Sequence, residues 1–314
     1  VDYDFCNQNN IKVCNVLGAS ARSVAEYCLF SALAISRRLI RTTDAIASGN
    51  YAEIRGNIIK DRMHSLSGLT LGVIGFGSIG QETAKMFGAM GCRIQYYDPS
   101  SPKVEQSLAS IAEEVGKEVL LRSSDIISVH VPLLEPTFNL ISEQELSMMK
   151  DTSILLNASR GGVVNENALA QAIQNKKIKG AAVDVFSSEP PEKSNPLLNL
   201  PNECRENLIL TPHIGGITVQ SWAELFSRSW MNIQRFFDGE KFLIKAGEFK
   251  EMTGLNEGLA IKSTQVITIV VTLILVSTLF WFLNKTKTGK SMRAYSDNED
   301  LALLSGIDPK KIVM

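Results

Sequence analysis

The stretch from Leu71 to Asp98 constrains the fold of this chain more than any other. An apolar run, Leu71–Ile74, reads as a buried strand. Gly75, Gly77 and Gly80 follow at G-x-G-x-x-G spacing, and a helical stretch runs from Gln81 to Met90. A second apolar run, Arg93–Tyr97, ends on the acid Asp98. Strand, glycine turn, helix, strand and terminal acid in that order form a dinucleotide-binding fingerprint. Gly75 permits the tight turn, Gly77 lets the backbone approach a pyrophosphate, and Gly80 lets helix and strand pack closely. The helix N-terminus, with its free N–H groups and positive dipole end, favours the anion. Asp98 is placed to accept hydrogen bonds from an adenosine ribose. Its carboxylate favours NAD over NADP, and no arginine follows in Pro99-Ser100-Ser101, although Lys103 leaves the phosphorylated cofactor open.

From Thr70 onward strand and helix patterns alternate, the signature of a parallel sheet with right-handed crossovers. Strands are expected at Leu71–Ile74, Arg93–Tyr97, Ile126–Val131, Ile154–Asn157, Gly180–Val185 and Leu208–Leu210. Helices are clearest at Gln81–Met90, Ser142–Met149 and Glu166–Asn175. The expected class is α/β, a doubly wound parallel sheet whose post-strand loops gather at one carboxyl edge, where such sheets bind ligands. Upstream, residues 1–18 read as short apolar runs among polar turns. Ser23-Val24-Ala25-Glu26 reads as a capping box opening a helix to about Arg41. Gly49-Asn50 and Gly56-Asn57 read as turns, and Thr218–Phe237 reads as a long amphipathic helix.

A length of 314 residues allows two domains, and a formal net charge of −1 gives no sign of a polyanionic partner. The five cysteines are scattered without a C-x-x-C pair, against a zinc site or disulfide framework and for a reducing compartment. His64, His130 and His213 share no metal-binding spacing, so no metal is expected. His64 reads as linker surface, and His130 as a packing or backbone-bonded residue near the cofactor. The acidic start Val1-Asp2-Tyr3-Asp4 does not resemble a signal peptide, and the missing initiator Met suggests a start inside a longer chain. Gln265–Leu283 carries no charge, and a bilayer crossing takes about 20 apolar residues. A transmembrane helix is therefore expected there.

Three turns after predicted strands carry reactive groups: Asn157-Ala158-Ser159-Arg160-Gly161-Gly162, Asp184-Val185-Phe186-Ser187-Ser188-Glu189-Pro190, and Thr211-Pro212-His213-Ile214-Gly215-Gly216. Singly, Arg160 is an ordinary surface cation, Glu189 a turn cap and His213 a structural histidine. Placed together after successive strands of one dinucleotide-binding sheet, they suit hydride transfer. A hydroxyl must lose its proton as its carbon loses hydride, and imidazole is the natural base. A carboxylate on the other ring nitrogen fixes the tautomer, and an arginine fork holds an anionic substrate.

Residues 1–250 resemble the D-isomer-specific 2-hydroxyacid dehydrogenase family. The matching stretches include Asn15–Ala19, Ser23–Glu26, Gly72–Gly80, the Asp98 turn, His130–Leu133 with Thr137, Asn157–Glu166, Asp184–Pro190 and Thr211–Gly216. The resemblance implies a Rossmann-type NAD domain and an oxidoreductase acting on a small D-2-hydroxy acid. It places the catalytic Arg, Glu and His on Arg160, Glu189 and His213, and a nicotinamide-orienting acid on Asp184. It extends the cofactor contacts to Gly75, Gly77, Ser78, Ile79, Gly80, Asp98, Val131, Pro132, Thr137, Ala158, His213 and Gly215. It also implies a homodimer joined partly through the Ser23–Arg41 helix, and a cytoplasmic location. Relative to that family, the chain begins near the end of a flavodoxin-like N-terminal substrate domain. The absent portion normally carries a glycine-containing, carboxylate-binding loop, so NAD binding with poor turnover is expected.

Residues 265–314 resemble part of the permease of branched-chain amino-acid ABC transporters. The expected division is 1–44 substrate-domain remnant and dimer-type helix, 45–235 NAD-binding domain, 236–262 return segment and linker, 263–284 transmembrane helix, and 285–314 permease-like cytoplasmic loop. Lys285, Lys287, Lys290 and Arg293 would face the cytoplasm by the positive-inside rule. That would put the dehydrogenase on the other side of an inner membrane, away from its NAD pool, so the two halves read as a chimera. The rival functions are a transporter component and an NAD-binding corepressor-like module without catalysis.

Overall fold

The computed structural model describes residues 3–60, 63–100, 102–238 and 263–286. It divides into two compact units, Val1–Ser229 and Trp230–Met314. In the first unit seven strands form one parallel sheet: β1 Thr70–Ile74, β2 Arg93–Tyr97, β3 Ala112–Glu114, β4 Ile126–Val129, β5 Ile154–Asn157, β6 Gly180–Val183 and β7 Leu208–Leu210. Their spatial order is β3-β2-β1-β4-β5-β6-β7. The order reverses between β1 and β4, where Ile74 pairs with Val129, and this is the topological switch point. β1, β4, β5 and β6 are buried along their whole length, as near-continuous apolar strands covered on both faces must be.

Helices α1 Tyr3–Gln8, α2 Ala21–Ser36, α3 Leu39–Ala47 and α4 Tyr51–Lys60 precede the sheet. α5 Ser78–Ala89, α6 Lys117–Ser123, α7 Glu143–Met148, α8 Glu166–Gln174 and the single-turn α9 Asn202–Arg205 connect its strands, and α10 Val219–Asp238 follows. α2 and α5 pack together on one face, where Val24, Cys28 and Ile35 join Val73, Phe87 and Ile94 in a core. On the other face Leu120, Leu146, Leu169 and Ile173 cover Ile127, Leu155 and Ala181.

Several local expectations are corrected. The strands expected to end at Val131 and Val185 stop at Val129 and Val183, releasing the following residues into edge turns. Ser23 is no capping residue: α2 begins at Ala21 and the Ser23 hydroxyl bonds Thr218 Oγ1 at 2.7 Å and Ser221 Oγ at 2.6 Å. The helix ends at Ser36 rather than Arg41, because Arg38 is left-handed (φ 51°) and a new helix starts beyond it. Gly49 makes the expected turn, whereas Gly56 lies inside α4. Residues 3–8 are helical rather than turns. β3 and α6 were not expected from the pattern: β3 is only three residues long and α6 only seven.

In the second unit the uncharged run is helical, Ser263–Lys285. Among the described residues, no helix is long and apolar enough to cross a membrane. The expected transmembrane helix is therefore not supported by the described residues, whose apolar side chains there, Leu273 to Val276 among them, are exposed. The linker 239–262 and the loop 287–314 lie outside the described residues.

Candidate active site

The glycine turn sits at the switch point. Gly75 has φ +90°, and a side chain there would stand 2.8 Å from the His130 carbonyl. At Gly80 a Cβ would stand 2.2 Å from the Gly75 carbonyl oxygen, so α5 can lie against the turn only with a hydrogen there. Gly77 has no protein atom within 4 Å of its missing Cβ, which leaves open space at the N-cap of α5. Ser78 and Ile79 open that helix. Gln81, which the motif does not single out, is buried and braces the site: its Nε2 donates to Phe76 O (2.9 Å) and Lys103 O (3.0 Å).

Asp98 accepts from Phe76 N at 2.7 Å, and from Ser100 N and Oγ at 2.9 and 2.6 Å. Burial pushes the carboxyl upward, but the Ser100 hydroxyl and the two backbone amides outweigh it and hold it below the ordinary range. An anion therefore stands at the end of β2, beside an open helix N-terminus. Close packing at Gly75 and Gly80, space at Gly77 and this carboxylate fit NAD.

His130 lies across the switch point. Its Nε2 pairs with Ser128 Oγ at 2.8 Å, and its Nδ1 is buried with no protein partner among the described residues. Burial pushes its pKa down to about 4, so the ring is neutral. Val131 lies against Gly75, and Pro132 O accepts from the Thr137 hydroxyl at 2.6 Å. That hydroxyl also accepts from Leu134 N at 2.7 Å, so Thr137 shapes its own short turn.

The three reactive turns leave the same sheet edge, at the ends of β5, β6 and β7. Asn157 is buried, and its Oδ1 accepts from Ser159 N (3.2 Å) and Ser159 Oγ (2.7 Å), bending the chain after Ala158. Arg160 is exposed and donates Nη1 to Ser159 O at 2.6 Å. A Cβ on Gly161 would lie 1.8 Å from Phe186 O, so the arginine turn rests directly on the backbone that leads to Glu189.

Glu189 Oε1 accepts from Phe186 N at 3.1 Å, and its Oε2 lies 2.8 Å from His213 Nδ1. The hydrogen bond from His213 holds the Glu189 carboxyl below its ordinary range against the opposing effect of burial, with the Phe186 amide and the His213 and Arg160 charges acting the same way as the bond. A carboxylate only accepts, so Nδ1 carries the hydrogen and Nε2 is left for proton exchange. Glu166, which the spacing argument passed over, braces this turn: it accepts from Ser187 N (2.7 Å) and Asn195 Nδ2 (2.7 Å).

His213 is itself left-handed, φ 56°. Asp184, only 2% exposed, fixes that backbone. Its Oδ1 accepts from Thr211 Oγ1 (2.6 Å) and Ile214 N (2.8 Å), and its Oδ2 from Gly215 N (2.8 Å). The geometry thus joins His213 to Glu189 directly, sets Arg160 on the adjoining turn, and places Asp184 beneath the histidine.

A family model described as D-isomer specific 2-hydroxyacid dehydrogenase, NAD binding domain, matches residues 29–215. The chain belongs to the D-isomer-specific 2-hydroxyacid dehydrogenases. It is 39% identical over 223 residues to a hydroxypyruvate reductase of Thermotoga maritima, covering 70% of this chain and 68% of that protein. It is 36% identical to a glyoxylate reductase of Thermococcus litoralis, covering 76% of this chain and 71% of the relative. A D-lactate dehydrogenase from Aquifex aeolicus, solved with NAD and lactic acid, superposes with a TM-score of 0.66 at 32% identity, covering 76% and 73% of the two chains. Its family makes this dehydrogenase an NAD-dependent oxidoreductase of 2-hydroxy acids. A second model, described as branched-chain amino acid transport system / permease component, matches residues 211–314, in keeping with the resemblance of the tail.

Proposed function

We propose that this dehydrogenase interconverts a small D-2-hydroxy acid and its 2-keto acid, with His213 as the acid–base, Glu189 as its partner and Arg160 as the substrate clamp. The 2.8 Å contact between His213 Nδ1 and Glu189 Oε2, on turns of one NAD-binding sheet, carries this reading. In the oxidising direction His213 Nε2 takes the hydroxyl proton. Glu189 keeps Nδ1 protonated and steadies the imidazolium that forms. Arg160 holds the substrate carboxylate or carbonyl. Bound NAD supplies the hydride acceptor. Gly75, Gly77, Ser78, Ile79, Gly80 and Asp98 hold its dinucleotide end. Val131, Pro132, Thr137, Ala158, Asp184 and Gly215 line the nicotinamide end, Asp184 in part through the turn it fixes.

Glyoxylate and hydroxypyruvate, the acids named in two relatives, head the panel of candidate substrates. In the chain fused to the N-terminal substrate portion of a relative, His213→Ala is expected to lower keto-acid-dependent NADH oxidation at least ~100-fold while NADH binding persists, the scale of lost acid–base catalysis. Turnover undiminished in that variant refutes the assignment. NADH binding with no turnover of any 2-keto acid, in the chain fused to the N-terminal substrate portion of a relative, favours the binding-module alternative.

Residues 1–44 are read as the closing stretch of a substrate domain and a dimer-type helix. The exposed apolar set Phe30, Leu39, Ile40, Ile46, Tyr51 and Ile59 on α2, α3 and α4 supports a homodimer. Sedimentation at micromolar concentration should give twice the 34.5 kDa chain mass, and Ile46→Asp with Tyr51→Asp should return the monomer.

A further inference from the structure

The turn that carries His213 is held from a distant part of the chain. Tyr27, on α2, places its hydroxyl 2.7 Å from Thr211 Oγ1. Thr211 Oγ1 in turn donates to Asp184 Oδ1 at 2.6 Å. Proton inventory sets the direction of the first bond. A threonine hydroxyl has one hydrogen, and the carboxylate can only accept it. Tyr27 is therefore the donor to Thr211, and the chain runs Tyr27 to Thr211 to Asp184. Asp184 also accepts from the amides of Ile214 and Gly215, the two residues after His213. Its own carbonyl accepts from His213 N at 2.8 Å.

The Tyr27 ring also packs against this turn. A Cβ on Gly215 would stand 3.3 Å from Tyr27 Cγ and 2.9 Å from Asp184 Oδ2, so the turn is seated between the ring and the carboxylate. Burial pushes the phenol up to about 12, which keeps the donor hydrogen in place across the working range. With that hydrogen committed to Thr211, Tyr27 is not a proton source for substrate.

We propose that Tyr27 is a positioning residue: through Thr211 and Asp184 it fixes the left-handed turn that sets His213 against Glu189. This rests on the roles given above to His213 and Glu189, but its test needs no turnover. In the full-length chain, Tyr27→Phe removes only the hydroxyl. Nuclear magnetic resonance then reads two quantities: amide hydrogen exchange at Ile214 and Gly215, and the titration of the Glu189 side-chain carboxyl, which faces His213 and Arg160.

The expected result is exchange at least tenfold faster at both amides and a Glu189 midpoint that moves upward as its hydrogen bond from His213 loosens. Thr211→Val should do the same, and the double variant should go no further than the larger single change, because both substitutions cut one chain. Ser23→Ala removes another α2 contact to the segment after the turn and should leave Glu189 unmoved. Wild-type exchange and titration in Tyr27→Phe, additive effects in the double variant, or the same shifts in Ser23→Ala would each overturn the proposal. Should Tyr27→Phe fail to fold, Thr211→Val decides by the same two readings. NADH binding without turnover in the chain fused to the N-terminal substrate portion of a relative would sink the catalytic reading and leave this result standing.

Discussion

At the scale of single residues, the site is a set of charges whose states are fixed by their neighbours. Glu189 titrates below its ordinary 4.5 because His213 donates to it. A folded-state value below the unfolded one stabilises the fold above the unfolded value, and that contribution is lost as pH falls through the folded value. Thermal unfolding followed by circular dichroism should therefore show wild type losing stability more steeply than Glu189→Gln between ~pH 5 and ~pH 3. At neutral pH the same substitution keeps an acceptor for Nδ1 but removes the anion. Turnover is expected to fall about a hundredfold, as judged by steady-state NADH oxidation. An equal acid response in the two proteins would mean that the 2.8 Å contact is not a charge pair in solution.

At the scale of elements, the glycine turn separates two effects that a sequence motif merges. Gly77 has φ −75° and empty space around its missing Cβ. Gly77→Ala should fold with an unfolding midpoint near that of wild type and yet bind NADH at least tenfold more weakly, as followed by fluorescence titration. Gly80→Ala drives a methyl into the Gly75 carbonyl. Overpacking of this kind costs about 1–3 kcal/mol, so stability and NADH affinity should fall together. The β1–α5–β2 unit was legible in the sequence because its signals are local: an apolar run, three spaced glycines, a closing acid. The reactive turns were legible because each directly follows a buried strand. What could not be read was partnership at a distance. Tyr27 and Thr211 are 184 positions apart, and Ser23 looked like a helix cap because its partners Thr218 and Ser221 lie far along the chain. Gln81 and Glu166 are unremarkable helix residues until the loops they brace are in place. Gly56 continues a helix where its sequence suggests a turn, because an isolated glycine is only a weak punctuator.

At the scale of the whole molecule, every residue assigned to cofactor or catalysis lies in the unit Val1–Ser229. A protein ending after Asp238, which keeps α10 whole, should bind NADH within twofold of the full chain, as measured by calorimetry. A large loss would give the region beyond α10 a part in cofactor binding. The seating of Gly161 on the Phe186 carbonyl has a consequence for how such a protein moves. With the arginine turn resting on the strand exit that leads to the glutamate, and the histidine tied to that same exit, the backbones that carry the three side chains are braced together. Breathing of the surrounding protein should then change access to the site more than its spacing, so a slow step in the cycle is expected at arrivals and departures, and turnover should fall as solvent viscosity rises.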